Sequence, residues 1–478
     1  MAGPDLLLPV EPRTRDVART LFEHARGLPI VSPHGHVDPW LLADDAPFPD
    51  PARLLVVPDH YVTRMLFSQG VPPARLGLPR RDGGPVETEG RAIWRTVAQH
   101  WSVFRGTPSR LWLEMTLTDV FGIWTPLSEA TADDVYDQIA ERLVQPEFRP
   151  RALFERFGIE RLATTESPLD DLSAHAKLAA DGWGGPDGRV ITTFRPDDVV
   201  DPDWPGWGER LDRLAELTGT DTGDYPGYLA AIRSRREAFR RAGARSTDHG
   251  HPTARTLALE PAEVALLFRR LRTGAAGSAE GRVDPADAEA FRAHMLFAFA
   301  EMSVQDGLVM QLHPGAVRNH NARLYDEHGR DVGGDIPRVT EYTQALRPLL
   351  EHFGNDPGLR LVLYTLDETA FSRELAPLAG GYAAVFLGAP WWFLDTPDGL
   401  RRFREAVTDT AGFANTAGFV DDTRAFCSIP VRHEVARRVD AGYLAELVLR
   451  GRLGLDEAAE TMVDLAYHLP KRVFRLES

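Results

Sequence analysis

The residues Ile30-Val31-Ser32-Pro33-His34-Gly35-His36-Val37-Asp38 end a short apolar run and carry two histidines one residue apart. If this stretch is a buried strand, both histidines point to one face, and their backbone positions lie roughly 6–7 Å apart. Two imidazoles so placed can bind one divalent ion. Alternatively, one histidine caps a turn and the other is solvated. This alternative stays open because the His-x-His spacing alone is a weak metal signature.

Seven more short apolar runs follow along the chain, each ending in polar residues and separated by helical stretches. The first run covers residues 28–31, and the others cover residues 161–165, 190–194, 244–247, 308–312, 361–363, 383–387 and 417–420. Alternating strands and helices predict parallel βαβ units, and eight such strands predict a closed (β/α)8 barrel.

The section between the first and second apolar runs has helical periodicity and little strand character. The helical patterns cover residues 61–69, 92–104, 112–121 and 132–144. We therefore predict one barrel unit over residues 1–478, with a helical insertion at 39–158, barrel strands 2–8 within 159–430 and C-terminal helices at 431–478.

The composition is typical of a globular protein with a large core: 478 residues, 43% hydrophobic and 26% charged. The net charge of −16 argues against nucleic acid and anionic membranes as partners. The single cysteine, Cys427, excludes an internal disulfide and a cysteine-based zinc site. With no export signal and no apolar run long enough for a membrane span, the sequence predicts a cytoplasmic protein.

In such barrels the carboxyl ends of the strands form the active-site rim. Here these ends carry His34, His36, Arg195, Asp248, His249, His313 and Asp422. Two histidines from one strand and a carboxylate from the last suit zinc or manganese with an open position. Asp421 and Asp422 compete for that carboxylate role, and Asp422 is preferred. His313 is either a further ligand or a residue that contacts a ligand or the substrate.

Two further features have alternative interpretations. Arg424 either binds an anionic substrate group beside Asp422 or forms a salt bridge to Asp421 or Glu434. The adjacent Trp391 and Trp392 are either core residues or an aromatic surface against a sugar.

Several motifs occur in a fixed order along the chain. They are Leu28-Pro29-Ile30, His34-Gly35-His36, Asp59-His60-Tyr61 with Arg64 and Gly70-Val71, Thr164-Thr165, Phe194-Arg195-Pro196-Asp197, Asp248-His249-Gly250, Met310-Gln311-Leu312-His313 with Gly315 and Arg318-Asn319, Trp391-Trp392-Phe393, Asp422-Thr423-Arg424-Ala425-Phe426, and Arg432-His433-Glu434. Over nearly its whole length the chain resembles the uronate isomerase (glucuronate isomerase) family of the amidohydrolase superfamily. It departs from that family's pattern at Ser32-Pro33, Gly35 and Glu166-Ser167.

The resemblance implies a distorted (β/α)8 TIM-like barrel of the metal-dependent hydrolase type, with a helical insertion after strand 1. It implies one divalent metal, zinc or alternatively manganese, held by His34, His36 and Asp422, and it implies a homo-oligomer. It further implies a sugar site lined by His60, Tyr61, Arg195, His313, Trp391, Trp392 and Arg424.

The expected reaction converts a hexuronate aldose, D-glucuronate or D-galacturonate, to its 2-keto isomer, D-fructuronate or D-tagaturonate. Asp422, alone or with a metal-bound hydroxide, is expected to move the hydroxyl proton. Tyr61 with Arg424 is expected to act at carbon or to stabilise the enediolate. Arg195 and Arg424 are the candidates to hold the uronate carboxylate. Two alternatives stay open: a metal-dependent hydrolase of a sugar-acid lactone, ester or amide, and a sugar-acid-binding protein without activity.

Overall fold

The computed structural model describes residues 3–277 and 283–477. Its strands are β1 (Ile30–Ser32), β2 (Ile159–Glu166), β3 (Val190–Phe194), β4 (Ser246–His249), β5 (Val309–Leu312), β6 (Ala316–Val317), β7 (Ile336–Pro337), β8 (Leu361–Leu363) and β9 (Val385–Leu387). Seven of them form one parallel sheet in the order β1-β2-β3-β4-β5-β8-β9. Strands β6 and β7 form a separate antiparallel pair. The curled parallel sheet confirms the predicted distorted barrel.

The prediction of an eighth strand at residues 417–420 was wrong. The structure has no strand there: the preceding residue Thr416 makes an isolated parallel bridge with Leu387, and Ala417 N–H donates to the Leu387 carbonyl at 2.8 Å. Gly418 has a φ of 73° and Asp422 a φ of 40°, so the backbone leaves the extended conformation that a strand requires. The last segment joins the first through a single described hydrogen bond, from His36 N–H to the Thr423 carbonyl at 3.0 Å.

Helix α1 (Pro12–Arg26) precedes the sheet, and seven helices lie between β1 and β2. They are α2 (Pro39–Asp44), α3 (Pro51–Leu55), α4 (His60–Ser68), α5 (Gly90–Gln99), α6 (Pro108–Met115), α7 (Ala132–Leu143) and α8 (Pro150–Arg156). Local capping explains several of their starts, because Asp38, Asp50 and Asp59 each accept a backbone N–H of the helix that follows.

The other helices connect or follow the later strands. They are α9 (Ser173–Ala180), α10 (Asp197–Val200), α11 (Trp207–Thr218), α12 (Tyr225–Arg241), α13 (Pro261–Gly277), α14 (Pro285–Asp306), α15 (Ala322–His328), α16 (Arg347–Phe353), α17 (Ala376–Gly381), α18 (Pro397–Ala411), α19 (Ile429–Leu449), α20 (Leu455–Val463) and α21 (Leu469–Val473). Within the described ranges, no helix has both the length and the apolar character needed to cross a membrane.

The interior of the sheet is apolar below the rim. Val31, Ala163, Ile191, Val309 and Val362 are buried side chains from five different strands, and they belong to one cluster. This layer packs the interior of the sheet, and the polar groups at the carboxyl ends of the strands lie above it. The helical insertion and the segment that includes β6 and β7 stand around that same end and contribute to the walls of its cavity.

Candidate active site

His34 and His36 both lie in the loop after β1, not within the strand. The expectation that strand alternation aligns them was therefore wrong, although their rings do converge, with centroids 5.1 Å apart. The hydrogen bond from His36 N–H to Thr423 holds this loop against the segment that carries Asp422. The loop conformation, rather than the pleat of a strand, brings the two imidazoles together.

Asp422 completes a set of metal-type donors with these histidines. Its Oδ1 atom lies 3.0 Å from His36 Nε2 and 3.5 Å from His34 Nε2, and the three donor atoms lie within 4.8 Å of one another. Burial raises the pKa of Asp422, but the two histidines outweigh burial and hold that pKa well below its ordinary value. Two imidazole nitrogens and one ionised carboxylate fit a divalent metal ion.

The neighbouring Asp421 points elsewhere. Its Oδ2 accepts a hydrogen bond from His433 Nε2–H at 3.0 Å, and both side chains are buried. The left-handed backbone at Asp422 turns successive side chains in different directions. The two aspartates therefore occupy different surroundings, and of the pair only Asp422 belongs to the described donor sets.

A second polar cluster adjoins the metal-type donors. His313 follows β5, and its Nδ1–H donates to Asp248 Oδ1 at 2.7 Å. The other oxygen of Asp248 lies 3.0 Å from Arg195 Nη1 and 3.9 Å from His34 Nε2. Burial raises the pKa of Asp248, but Arg195, His313 and His34 hold it well below its ordinary value. His34, Asp248 and His313 are also close enough to hold an ion, so His313 keeps both of its interpretations.

The helical insertion places His60 and Tyr61 at the start of α4. Asp59 caps this helix and accepts Tyr61 N–H at 2.8 Å. The His60 ring stacks on Tyr61 at 4.7 Å and meets the edge of Trp392 at 5.5 Å. Burial and the nearby Arg424 lower the pKa of His60 to about 3, so its imidazole is neutral. Burial raises the pKa of Tyr61 well above its ordinary value, so its phenol is protonated.

Arg424 makes neither of the salt bridges considered for it. Its Nη2 lies 3.4 Å from Asp331 Oδ2, while Glu434 pairs with Arg438 at 2.8 Å. Asp331 lies in the long connection between β6 and β7, and no sequence motif identified it. This contact joins residues from two distant parts of the chain at the cavity.

Gln311 is a second site residue to which the sequence assigned no role, although it belongs to the Met310-Gln311-Leu312-His313 motif. Its buried side-chain amide lies 3.4 Å from His34 Nδ1 and 3.1 Å from Ser246 Oγ, and it accepts Tyr364 O–H at 3.1 Å. A glutamine in the apolar strand sequence Met310-Gln311-Leu312 was the signal that could have identified it.

A cavity of about 610 Å³ lies at this end of the barrel. The predicted site residues that line it are His36, His60, Tyr61, Arg195, Trp391, Trp392, Asp422 and Arg424. His34 and His313 lie behind this lining, where the His313 ring stacks on Tyr364 at 3.9 Å and meets Trp391 at 4.7 Å. Of the tryptophans, Trp391 is buried and Trp392 is half-buried with a φ of 52°.

The sequence profile of the glucuronate isomerase family matches residues 13–474. The chain belongs to this family. A uronate isomerase of Rhizorhabdus wittichii is 58% identical over 473 residues, which cover 99% of this chain and 98% of that relative. The crystal structure of glucuronate isomerase from Caulobacter crescentus matches with a TM-score of 0.96 and 51% identity, covering 100% of this chain and 98% of that one.

Family membership confirms the predicted isomerase. A putative metal-dependent hydrolase from Lactobacillus casei also matches, with a TM-score of 0.54 and 14% identity, covering 96% of this chain and 98% of that one. At 14% identity this similarity shows the fold alone. That fold agrees with the predicted barrel of the metal-dependent hydrolase type.

Proposed function

We propose that this isomerase interconverts a hexuronate aldose, D-glucuronate or D-galacturonate, and its 2-keto isomer, D-fructuronate or D-tagaturonate. One observation carries the proposal. The Arg195 guanidinium lies 3.0 Å from Asp248, whose same oxygen is 3.9 Å from His34 Nε2. The Arg195 guanidinium, which can bind a carboxylate, is therefore separated from the metal-type donor His34 only by the Asp248 side chain. A metal held by these donors would lie close to a substrate carbonyl. To bind a six-carbon sugar acid, the cation that pairs with its carboxylate and the metal beside its carbonyl must be no farther apart than the length of the sugar.

We assign one divalent metal to His34, His36 and Asp422. The nitrogen and oxygen donors suit zinc, with manganese as the alternative. When bound, such an ion acts as a Lewis acid and polarises substrate oxygens. The donor chemistry supports this assignment, because the half-buried Asp422 is ionised and stands beside two imidazole nitrogens.

The isomerisation moves a proton from C2 to C1 and a hydroxyl proton from O2 to O1. We assign the hydroxyl proton to Asp422, whose carboxylate can accept it from one oxygen and return it to the other. We assign Tyr61 and Arg424 to the reacting carbons and the enediolate between them. Tyr61 with Arg424 either relays the proton from C2 to C1 or stabilises the enediolate. Burial keeps the Tyr61 phenol protonated before substrate binds, so in the second role it donates a hydrogen bond to the enediolate while Arg424 supplies positive charge.

We assign the remaining predicted residues to substrate binding. Arg195 pairs with the uronate carboxylate, and the neutral His60 hydrogen-bonds to a substrate oxygen. The faces of Trp391 and Trp392 pack on the apolar C–H surface of the sugar. We assign His313, which donates a hydrogen bond to Asp248, to positioning substrate groups beside the residues that would hold the metal.

A homo-oligomeric state and a cytoplasmic location complete the proposal. The family resemblance supports the first. The second is supported by the single cysteine, Cys427, which is buried and free.

The test of the proposal is a turnover assay on metal-analysed protein. D-glucuronate and D-galacturonate are supplied separately, and the ketouronate product is measured, with uronic-acid lactones and esters run in parallel. We expect ketouronate formation that a chelator abolishes and that zinc or manganese restores. Hydrolysis without isomerisation would contradict the proposal and favour a hydrolase on the same scaffold.

We predict that Gln311→Leu weakens metal binding by about 10–100-fold. The Gln311 Nε2 atom faces His34 Nδ1 at 3.4 Å. Exchanging the oxygen and nitrogen positions of this amide would let Oε1 accept His34 Nδ1–H and let Nε2–H donate to the Tyr364 hydroxyl, which would keep the His34 Nε2 lone pair free for the metal. Leucine cannot accept that proton. The measurement is the zinc affinity of the metal-free protein, by competition with a chromogenic chelator.

The matched control is Gln344→Leu, which makes the same substitution at an exposed position. It should bind zinc as the wild type does. Equal zinc affinity in the two variants would show that Gln311 does not orient His34.

A further inference from the structure

The Arg195 guanidinium lies between two buried aspartates at the wall of the cavity. Its Nε–H donates to Asp197 Oδ2 at 3.0 Å, and its Nη1 lies 3.0 Å from Asp248 Oδ2. The guanidinium is a rigid plane, so fixing Nε and Nη1 also fixes the direction of Nη2. Within residues 3–277 and 283–477, no protein group accepts a hydrogen bond from Nη2, and the Arg195 side chain is 25% exposed. This nitrogen is therefore available to a ligand.

Gly250 directly follows β4 and touches both members of the Arg195–Asp197 pair. Its backbone N–H donates to the two carboxylate oxygens of Asp197, at 3.0 Å to Oδ1 and 3.2 Å to Oδ2. A Cβ atom at this position would lie 2.6 Å from Arg195 Nη2 and 2.8 Å from Asp197 Oδ2. Both distances are shorter than van der Waals contact, so a residue with a side chain would displace the guanidinium or the carboxylate.

The backbone conformation of Gly250 does not itself require glycine. Its φ lies outside the left-handed region, so alanine can adopt the same conformation. Alanine would also keep the backbone N–H that Asp197 accepts. The missing side chain therefore matters for the close approach of Arg195, not for the path of the chain.

We propose that Asp197 and Gly250 are positioning residues that hold the Arg195 guanidinium in the orientation in which it binds the substrate. This inference rests on the proposed function, in which Arg195 pairs with an anionic group of a uronate. Both residues belong to sequence motifs, Phe194-Arg195-Pro196-Asp197 and Asp248-His249-Gly250, in which they had no assigned role.

The charge of Asp197, taken alone, predicts the opposite effect on substrate binding. Its carboxylate stands beside the cation that binds an anionic substrate, so removing its charge would strengthen binding if only the electrostatic field mattered. Loss of positioning weakens binding instead, because a guanidinium that moves among several orientations must be ordered when the substrate binds. The direction of the change in KM distinguishes these two effects.

The test measures KM and kcat for D-glucuronate and D-galacturonate in Asp197→Asn and Gly250→Ala, each as the metal-loaded enzyme. We expect each variant to raise KM about tenfold while kcat changes less than about threefold. Asparagine can still accept Gly250 N–H, but it offers Arg195 Nε–H no charged acceptor. Gly250→Ala changes no charge, so it separates position from charge and tests the inference even if Asp197→Asn does not fold.

Asp198→Asn and Gly27→Ala are the matched controls. Asp198 is buried beside Asp197 in the chain, but it accepts hydrogen bonds from Ser167 Oγ at 2.7 Å and from Arg210 Nη1 at 2.8 Å. Gly27 follows α1, and a Cβ atom there would meet no neighbouring atom within 4 Å. Neither control should raise KM, whereas Asp198→Asn should lower the melting temperature.

A double-variant cycle with Arg195→Met identifies the residue through which Asp197 and Gly250 act. In the Arg195→Met background, neither Asp197→Asn nor Gly250→Ala should raise KM further, whereas a general distortion of the site would raise KM in both backgrounds. An unchanged or lower KM in either single variant, or a rise that persists without Arg195, would overturn the inference. Absence of uronate turnover in the wild type would overturn the proposed function instead.

Discussion

Asp422→Asn should lower kcat for uronate isomerisation by about 10³-fold or more while leaving the protein folded. The amide keeps the size of the carboxylate and an oxygen donor, but it cannot accept a hydroxyl proton and carries no charge to hold a metal ion. Asparagine also tolerates the left-handed backbone at this position, where φ is 40°. Turnover of D-glucuronate, metal content and thermal melting are the three measurements.

Asp421→Asn is the neighbouring control. Asp421 accepts a hydrogen bond from His433 at 3.0 Å and belongs to neither described donor set. We expect a lower melting temperature and activity per folded molecule of the same order as the wild type. If Asp421→Asn were the variant that lost turnover and metal, the assignment of the two aspartates would be reversed.

Arg195→Met should raise the KM for D-glucuronate by about 100-fold or more, because the substrate carboxylate loses its charged partner. The same change leaves Asp248 buried without the guanidinium that lies 3.0 Å from it, so the protein should also be less stable. Steady-state kinetics and thermal melting measure the two effects separately.

The double variant Arg195→Met with Asp248→Asn separates substrate binding from charge neutralisation. Neutralising Asp248 should recover part of the lost melting temperature, because Asp197, which also lies 3.0 Å from the Arg195 guanidinium, still lacks its cation. The high KM should persist, because no cation replaces Arg195. Recovery of a wild-type KM in the double variant would mean that Arg195 serves only to neutralise Asp248.

The order of strands and the helical insertion could be read from the sequence because both depend on local patterns. Short apolar runs between helical stretches fix parallel βαβ units, and caps such as Asp59 fix helix starts within a few residues. The residue types at the strand ends likewise pointed to His34, His36 and Asp422, whose donor atoms the fold brings within 4.8 Å.

Other features depend on contacts between distant segments, and no local pattern encodes these. The left-handed conformations at Gly418 and Asp422 replace the expected eighth strand with an irregular segment. The pairing of Arg424 with Asp331 depends on how a long surface connection folds across the cavity.

The sequence by itself determined the fold class, the family and the chemical types of the site residues. These follow from hydrophobic periodicity and residue identity, which short stretches of sequence contain in full. The tertiary structure alone decided which partner each polar residue has. Gln311 meets the buried His34, and Asp331 meets Arg424 at the exposed mouth of the cavity, because the packing of the whole barrel decides which distant segments come together.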